Sequence, residues 1–267
     1  MTGTLTWQAL TLHLRVPFRL SYGVSETRRS FWLRLPNDEG WGEAAIPPYY
    51  GVSDDDMIAT WAEAAARDVP LPDNPGEISA WIGARGPAPA LCALDLALHD
   101  RIARQRRQPL WQLLGLPPPP VLATCFTIAI AEPEEMAQQA AAAAQYGTLK
   151  IKLGSDDDIA RLAAVRAARP DARLRVDANA GWTPEEAITL IERIERFDLE
   201  LIEQPVRRDD VTGMGYVQAH TSTPIVADES CQSLADVEAL AAAGVQGINL
   251  KLMKAGGLGP GLRMARR

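Results

Sequence analysis

The chain is poor in the residues that build redox and zinc sites. Its three cysteines, Cys92, Cys125 and Cys231, form no disulfide framework and lack metal-ligand spacing. A reduced cytoplasm is the expected setting. The three histidines join no site: His99 falls on a buried-looking helix and reads as structural, and His13 and His220 read as surface residues. No apolar run reaches the length of a membrane span, and the opening MTGTLTWQALTLHLRV lacks a signal peptide's charged and apolar regions. Positive charge is not in excess either. The formal net charge is −7, and the one basic cluster, RIARQRR at 101–107, reads as a solvated helix end. Neither nucleic acid nor a membrane is an expected partner.

What is present is an ordinary globular composition, 47% apolar and 23% charged over 267 residues, enough for one large domain or two smaller ones. Residues 1–50 read as β: LTLHLRV alternates, and FWLRLPNDEGWGEAAI reads as a hairpin turning at residues 37–40. Residues 54–114 read as helical, with ALCALDLALHDRIARQ carrying a strong apolar face. Pro117 to Pro120 form a rigid spacer and a boundary, giving an α+β domain over 1–117 and a second domain over 118–267.

Beyond the prolines, strand and helix signals alternate. VLATCFTIAI, TLKIKLG, ARLRVDAN, LELIEQP, TPIVADES and QGINLKLMKAGG read as six strands. The helix between the third and fourth opens with a capping box, Thr183, Pro184 and Glu186; Ser233 caps the helix after the fifth. Such alternation is an α/β pattern with a parallel sheet. A closed (β/α) barrel has eight strands, so the expectation is a TIM-type barrel truncated after strand six, about two units short. A complete open α/β sheet is the alternative.

A beat of about 25 residues runs through this half. Lys152, Asp177, Glu203, Asp228 and Lys251 stand 25, 26, 25 and 23 residues apart, each in or at the end of a short apolar segment. One βα unit takes about that many residues, so the same place on successive units carries a base, three acids and a base. The ends of parallel strands are where such barrels do chemistry. Strand alternation puts Lys150 and Lys152 on one face and Leu149, Ile151 and Leu153 on the other, and likewise sets Asn249 and Lys251 against Ile248, Leu250 and Leu252. Buried lysines need charged partners, which the acids supply. Asp177, Glu203 and Asp228 suit a hard cation, Mg²⁺ first and Mn²⁺ also. A metal between two bases suits abstraction of a proton next to a carboxylate, the metal stabilising the enediolate. Nearby cations would depress the pKa of such a base.

With Lys150-Ile-Lys152, Asp177 in VDANAGW, Glu203 in EQP, Asp228 in ADES and Lys251 in NLKLMKAGG side by side, the chain resembles the enolase superfamily. The subgroup is that of mandelate racemase and muconate lactonizing enzyme. GWGEAAI, ALDLALHD and PLWQLLGL resemble its α+β capping domain, and TCFTIAI with PEEM is most similar to the dipeptide epimerases. The resemblance implies a cytoplasmic, Mg²⁺-dependent isomerase that epimerises a dipeptide of the L-Ala-D/L-Glu type, with homo-oligomers common. It implies Lys152 and Lys251 as the acid/base pair, Lys150 as an electrostatic aid, and Asp177, Glu203 and Asp228 as metal ligands. It also implies capping loops at about 18–28 and 46–53. Substrate contacts would come from Arg28, Asn179, Asn249, and Tyr49 and Tyr50, the tyrosines being equally suited to interface packing. The family's Asp-x-Asp on strand eight has no counterpart here. Muconate cycloisomerisation or o-succinylbenzoate synthesis on the same site, a Schiff-base lyase, and an inactive truncated relative stay open.

Overall fold

The computed structural model describes residues 4–20, 23–46, 51–154 and 156–267, with backbone alone at residues 16, 18–20 and 23. Contacts divide the chain differently from a single cut after residue 117. One compact unit holds Met1–Arg15, Glu26–Pro120 and Leu250–Arg267; the other holds Val16–Ser25 and Val121–Asn249.

The first unit is built on a three-stranded sheet of order β1 (Thr6–Leu20), β2 (Gly23–Arg34) and β3 (Trp41–Ala45). β2 and β3 form the expected hairpin, antiparallel from Ser30↔Ala45 to Arg34↔Trp41. Its turn uses Asn37 and Asp38, both at φ 57°, residue types that tolerate the left-handed region. Of the stretch expected as a loop at 18–28, the described residues are strand: β1 runs to Leu20 and β2 starts at Gly23.

Four helices follow: α1 (Asp54–Ala65), α2 (Pro75–Ile82), α3 (Ala88–Arg106) and α4 (Leu110–Leu113). α3 lies directly on β3, and glycine makes this approach possible: a Cβ on Gly42 would overlap the Ala93 carbonyl. Phe31, Leu33, Met57, Trp61, Leu94 and Leu98 fill the core between sheet and helices. The short α10 (Leu252–Ala255) and α11 (Leu258–Ala265) also pack on α3. Asp95 Oδ1 on α3 accepts the Leu258 N–H at 2.6 Å and so caps α11. His99, as expected, is buried and structural; its Nδ1 lies 2.8 Å from the Asp95 carbonyl oxygen.

The second unit carries a six-stranded parallel sheet in sequence order. Its strands are β4 (Phe126–Ile128), β5 (Thr148–Lys152), β6 (Arg173–Asp177), β7 (Leu199–Glu203), β8 (Ile225–Ala227) and β9 (Gly247–Ile248). Between them run α5 (Pro133–Ala142), α6 (Asp158–Ala168), α7 (Pro184–Ile194), α8 (Val211–Ala219) and α9 (Leu234–Ala242). The capping box expected at Thr183 is formed with Glu186, and Ser233, expected as a cap, forms a second box with Asp236. Leu149, Ile151, Leu174, Val176 and Ile202 are fully buried, whereas Lys150, Lys152, Asp177 and Glu203 occupy the opposite strand parity.

The two outer strands are shorter than their sequences suggest. β4 keeps three residues of the apolar run 121–130, and Val121 and Leu122 are exposed. β9 is two residues long, and Leu252 begins a helix instead of continuing the strand. Each outer strand has a hydrogen-bonded neighbour on one side only, so fewer ladder bonds hold its ends extended.

Candidate active site

Strand register brings the acids together. Lys152, Asp177 and Glu203 are direct neighbours across β5, β6 and β7, and Glu203 pairs with Val226 on β8, two residues before Asp228. Oxygens of Asp177, Glu203 and Asp228 lie within 4.8 Å of one another, and all three residues are buried. The structure thus brings together the three acids that the sequence spacing singles out.

Two lysines face this cluster. Lys150 Nζ lies 2.7 Å from Asp177 Oδ2 and 2.7 Å from Glu203 Oε2. Lys152 Nζ donates to Asp177 Oδ2 at 2.7 Å and to Asn179 Oδ1 at 2.8 Å. Burial opposes charge on Lys150, but Asp177 and Glu203 hold its ammonium above lysine's ordinary pKa. Carboxylates are the nearest charges to its ammonium. Burial works against Asp177 too, yet Lys152 and Lys150 keep its carboxyl below the ordinary value. Glu203 goes the other way, raised by burial and by Asp177.

The loops after the strands lock this arrangement. In the DANAGW turn, Asn179 and Ala180 take φ of 46° and 60°, held by Asn179 N–H to Asp177 Oδ1 at 3.0 Å and Ala180 N–H to the Gln204 carbonyl at 2.8 Å. A left-handed alanine costs about 1–2 kcal/mol, which these bonds offset. Asn179 and Asn249, expected as substrate contacts, have protein partners here. Asn179 bridges Lys152 and Glu229, and Asn249 Nδ2 donates to Glu203 Oε1 at 2.8 Å. Lys251 is half-buried at the N-cap of α10 and groups with the first unit. Arg28, also in that unit, is half-buried and donates to the Thr27 carbonyl at 3.1 Å. Tyr49 and Tyr50 lie outside the described residues.

Two buried residues of the site were not foreseen. Gln204 Oε1 accepts the N–H groups of Asp228 at 2.9 Å and Ser230 at 3.1 Å, while its Nε2 donates to Ser230 Oγ and the Val206 carbonyl, both at 2.8 Å. It ties the loop after β7 to the loop that presents Asp228. Glu229, beside Asp228, is pushed up in pKa by burial and by the charges of Asp228 and Asp177. The only signal in sequence was adjacency to a ligand, in EQP and in ADES.

A divalent cation fits these residues. Asp177, Glu203 and Asp228 offer one oxygen each within 4.8 Å of one another, with Lys150 and Lys152 beside them. Three carboxylates on rigid neighbouring strands are donors for a hard cation. Fold and site together define an α/β protein of strand–helix units with a carboxylate cation site at the strand ends.

Comparison narrows that class. Residues 133–267 match the model of the enolase C-terminal domain-like family. The chain is 38% identical over 270 residues to the L-Ala-D/L-Glu epimerase of Bacillus subtilis, covering 93% of this chain and 72% of that protein. It is 42% identical over 194 residues to a hydrophobic dipeptide epimerase of Enterococcus faecalis, covering 70% of this chain but only 54%, about half, of that relative. The solved structure of a dipeptide epimerase from E. faecalis V583, complexed with Mg and L-Leu-L-Tyr, superposes with a TM-score of 0.91 at 33% identity, over 100% of this chain and 79% of that one. An N-succinyl Arg/Lys racemase from Bacillus cereus superposes at 0.87 with 29% identity, over 100% and 76%. The chain belongs to the enolase C-terminal domain-like family.

Proposed function

We propose that this chain is a Mg²⁺-dependent dipeptide epimerase of the L-Ala-D/L-Glu type, inverting the carbon next to the substrate's carboxylate. The observation that carries the reading is the convergence of Asp177, Glu203 and Asp228 with Lys150 and Lys152 at neighbouring strand ends. The three acids would hold the cation, which supplies positive charge to the substrate carboxylate as its α-carbon becomes acidic. Lys152, as the neutral amine, takes the α-proton; the C–H electron pair delocalises into the carboxylate. Lys251, as an ammonium, returns a proton on the other face, a role resting on the sequence spacing and on family likeness. In the reverse direction the two exchange roles. Lys150, held cationic by its two carboxylates, contributes charge without transferring a proton. Cytoplasmic residence rests on the three free cysteines. Among the described residues no helix is long and apolar enough to cross a membrane.

The test is mass spectrometry of a pooled dipeptide library incubated with the chain and Mg²⁺ in D₂O. A gain of about one dalton in a dipeptide, lost with Lys152→Ala or EDTA, supports the reading. Absence of any gain sinks it, and adduct trapping by borohydride would favour Schiff-base chemistry instead.

A further inference from the structure

A lysine that transfers a proton must aim its nitrogen at one carbon, yet an ammonium on a four-carbon stem turns freely. Lys152 is not free to turn. It is buried, and two of its three Nζ directions are taken by Asp177 Oδ2 at 2.7 Å and Asn179 Oδ1 at 2.8 Å. Two fixed acceptors on a tetrahedral nitrogen leave one direction open, for an N–H or for the lone pair.

The second acceptor exists only while the Asn179 amide keeps its oxygen toward Lys152. An ammonium only donates, so the turned-over amide would set NH₂ against it. Glu229 guards the other end, its Oε1 accepting from Asn179 Nδ2 at 3.2 Å. An oxygen accepting there matches the amide orientation that Lys152 requires. Glu229 is 9% exposed, and its Oε2 is buried without a hydrogen-bond partner among the described residues. A half-satisfied buried carboxylate is costly.

We infer that Glu229, acting through Asn179, is a positioning residue that aims the Lys152 amine. The inference rests on Lys152 being a proton-transfer group, as proposed above. Neither Glu229 nor Asn179 transfers a proton in this role. Glu229 fixes the amide, the amide and Asp177 fix the nitrogen, and the remaining direction is the one used on substrate.

The chain has four lysines, at 150, 152, 251 and 254, so lysine-selective ¹⁵N NMR shows four Nζ signals, and Lys152→Arg assigns one. In the full chain without Mg²⁺, Asn179→Ala and Glu229→Leu should each speed water exchange of the Lys152 Nζ hydrogens about tenfold, as expected for one lost charge-assisted hydrogen bond. Lys150 should keep its rate. Glu229→Gln retains a carbonyl for the Asn179 amide and should recover part of the protection. Unchanged exchange at Lys152, or equal acceleration at Lys150, overturns the inference. Deuterium incorporation from D₂O into the two epimers of a substrate dipeptide gives the functional half. Glu229→Leu should slow exchange about tenfold more in the epimer that Lys152→Ala silences than in the other. Equal slowing in both overturns the positioning role. No incorporation by the unaltered chain sinks the proposed function, while the Nζ signals still decide the geometry.

Discussion

Replacing Lys150 with methionine asks whether the acids depend on a built-in cation. Lys150 Nζ stands 2.7 Å from both Asp177 and Glu203, whose side chains are 0% and 7% exposed. At an effective dielectric of about 20, each contact carries roughly 6 kcal/mol of Coulomb attraction, before the cost of desolvating the ammonium is set against it. Removing one partner of a buried ionic group costs about 3–5 kcal/mol. Methionine keeps the apolar stem, so the loss is of charge more than of packing. The expected deficit of the second unit is therefore about 3–5 kcal/mol near neutral pH. Its pH dependence follows from Glu203, whose pKa is already raised by burial and by Asp177 and would rise further without Lys150. A raised carboxyl is destabilising when ionised, so the deficit should shrink as pH falls through the raised value. Mg²⁺ at a hundred times its Kd adds about 2.7 kcal/mol, and at one fixed concentration it should help the variant more than the parent. Trp182 is the one tryptophan of seven that lies in this unit, so urea unfolding read by ¹⁹F NMR of the 5-fluorotryptophan chain isolates it. A deficit below about 1 kcal/mol would refute the counter-ion reading. So would equal help from Mg²⁺ in variant and parent.

In the other unit, burial opposes charge on His99, but Asp95 raises its pKa above 6.5. A raised histidine stabilises fully below its unfolded pKa, and that contribution is lost as pH rises through the folded value. Urea midpoints of the first unit should fall over that window, and His99→Gln should flatten the fall; an unchanged slope counts against the ion pair. Gly42→Ala should destabilise by about 1–3 kcal/mol or more, since its Cβ meets the Ala93 carbonyl, whereas Gly76→Ala, with open space around it, should be neutral in the same melt. Thr183→Ala removes a capping box and should cost about 1 kcal/mol in the second unit, with no effect on Mg²⁺ affinity by calorimetry.

The periodic parts of this chain are legible because they are local. Caps at Thr183 and Ser233 are written in four residues each, and the parity of Lys150 and Lys152 follows from the pleat. The acids could be grouped because strand spacing repeats and parallel register keeps equivalent positions level. What could not be read depends on partners distant in sequence. Leu252 fits the alternation of a strand, but β9 has a neighbour on one side only and gives way to α10. The Asn249 amide meets Glu203, 46 residues earlier, a contact that no local pattern reports. The roles of Gln204 and Glu229 are likewise set by side chains across two loops, which no spacing rule reports.

The basic residues separate charge from chemistry. Only four of 27 are lysine, and they fall at 150, 152, 251 and 254. A guanidinium solvates a surface and pairs with carboxylates as well as an ammonium does, but it cannot give up its proton near neutral pH. A lysine is therefore indispensable only where the amine must become neutral. On the proposed mechanism, Lys150 needs only its charge and Lys152 needs its proton. Lys150→Arg should then keep a measurable fraction of α-proton exchange. Lys152→Arg should keep Mg²⁺ binding at Asp177, Glu203 and Asp228 yet lose exchange at one face by about 10²–10⁴-fold, the usual contribution of a general base. Isotope exchange alongside calorimetry reads both. If Lys152→Arg exchanged as fast as the parent, Lys152 would be another counter-ion of the acidic cluster, and the α-proton would have to leave through a different group.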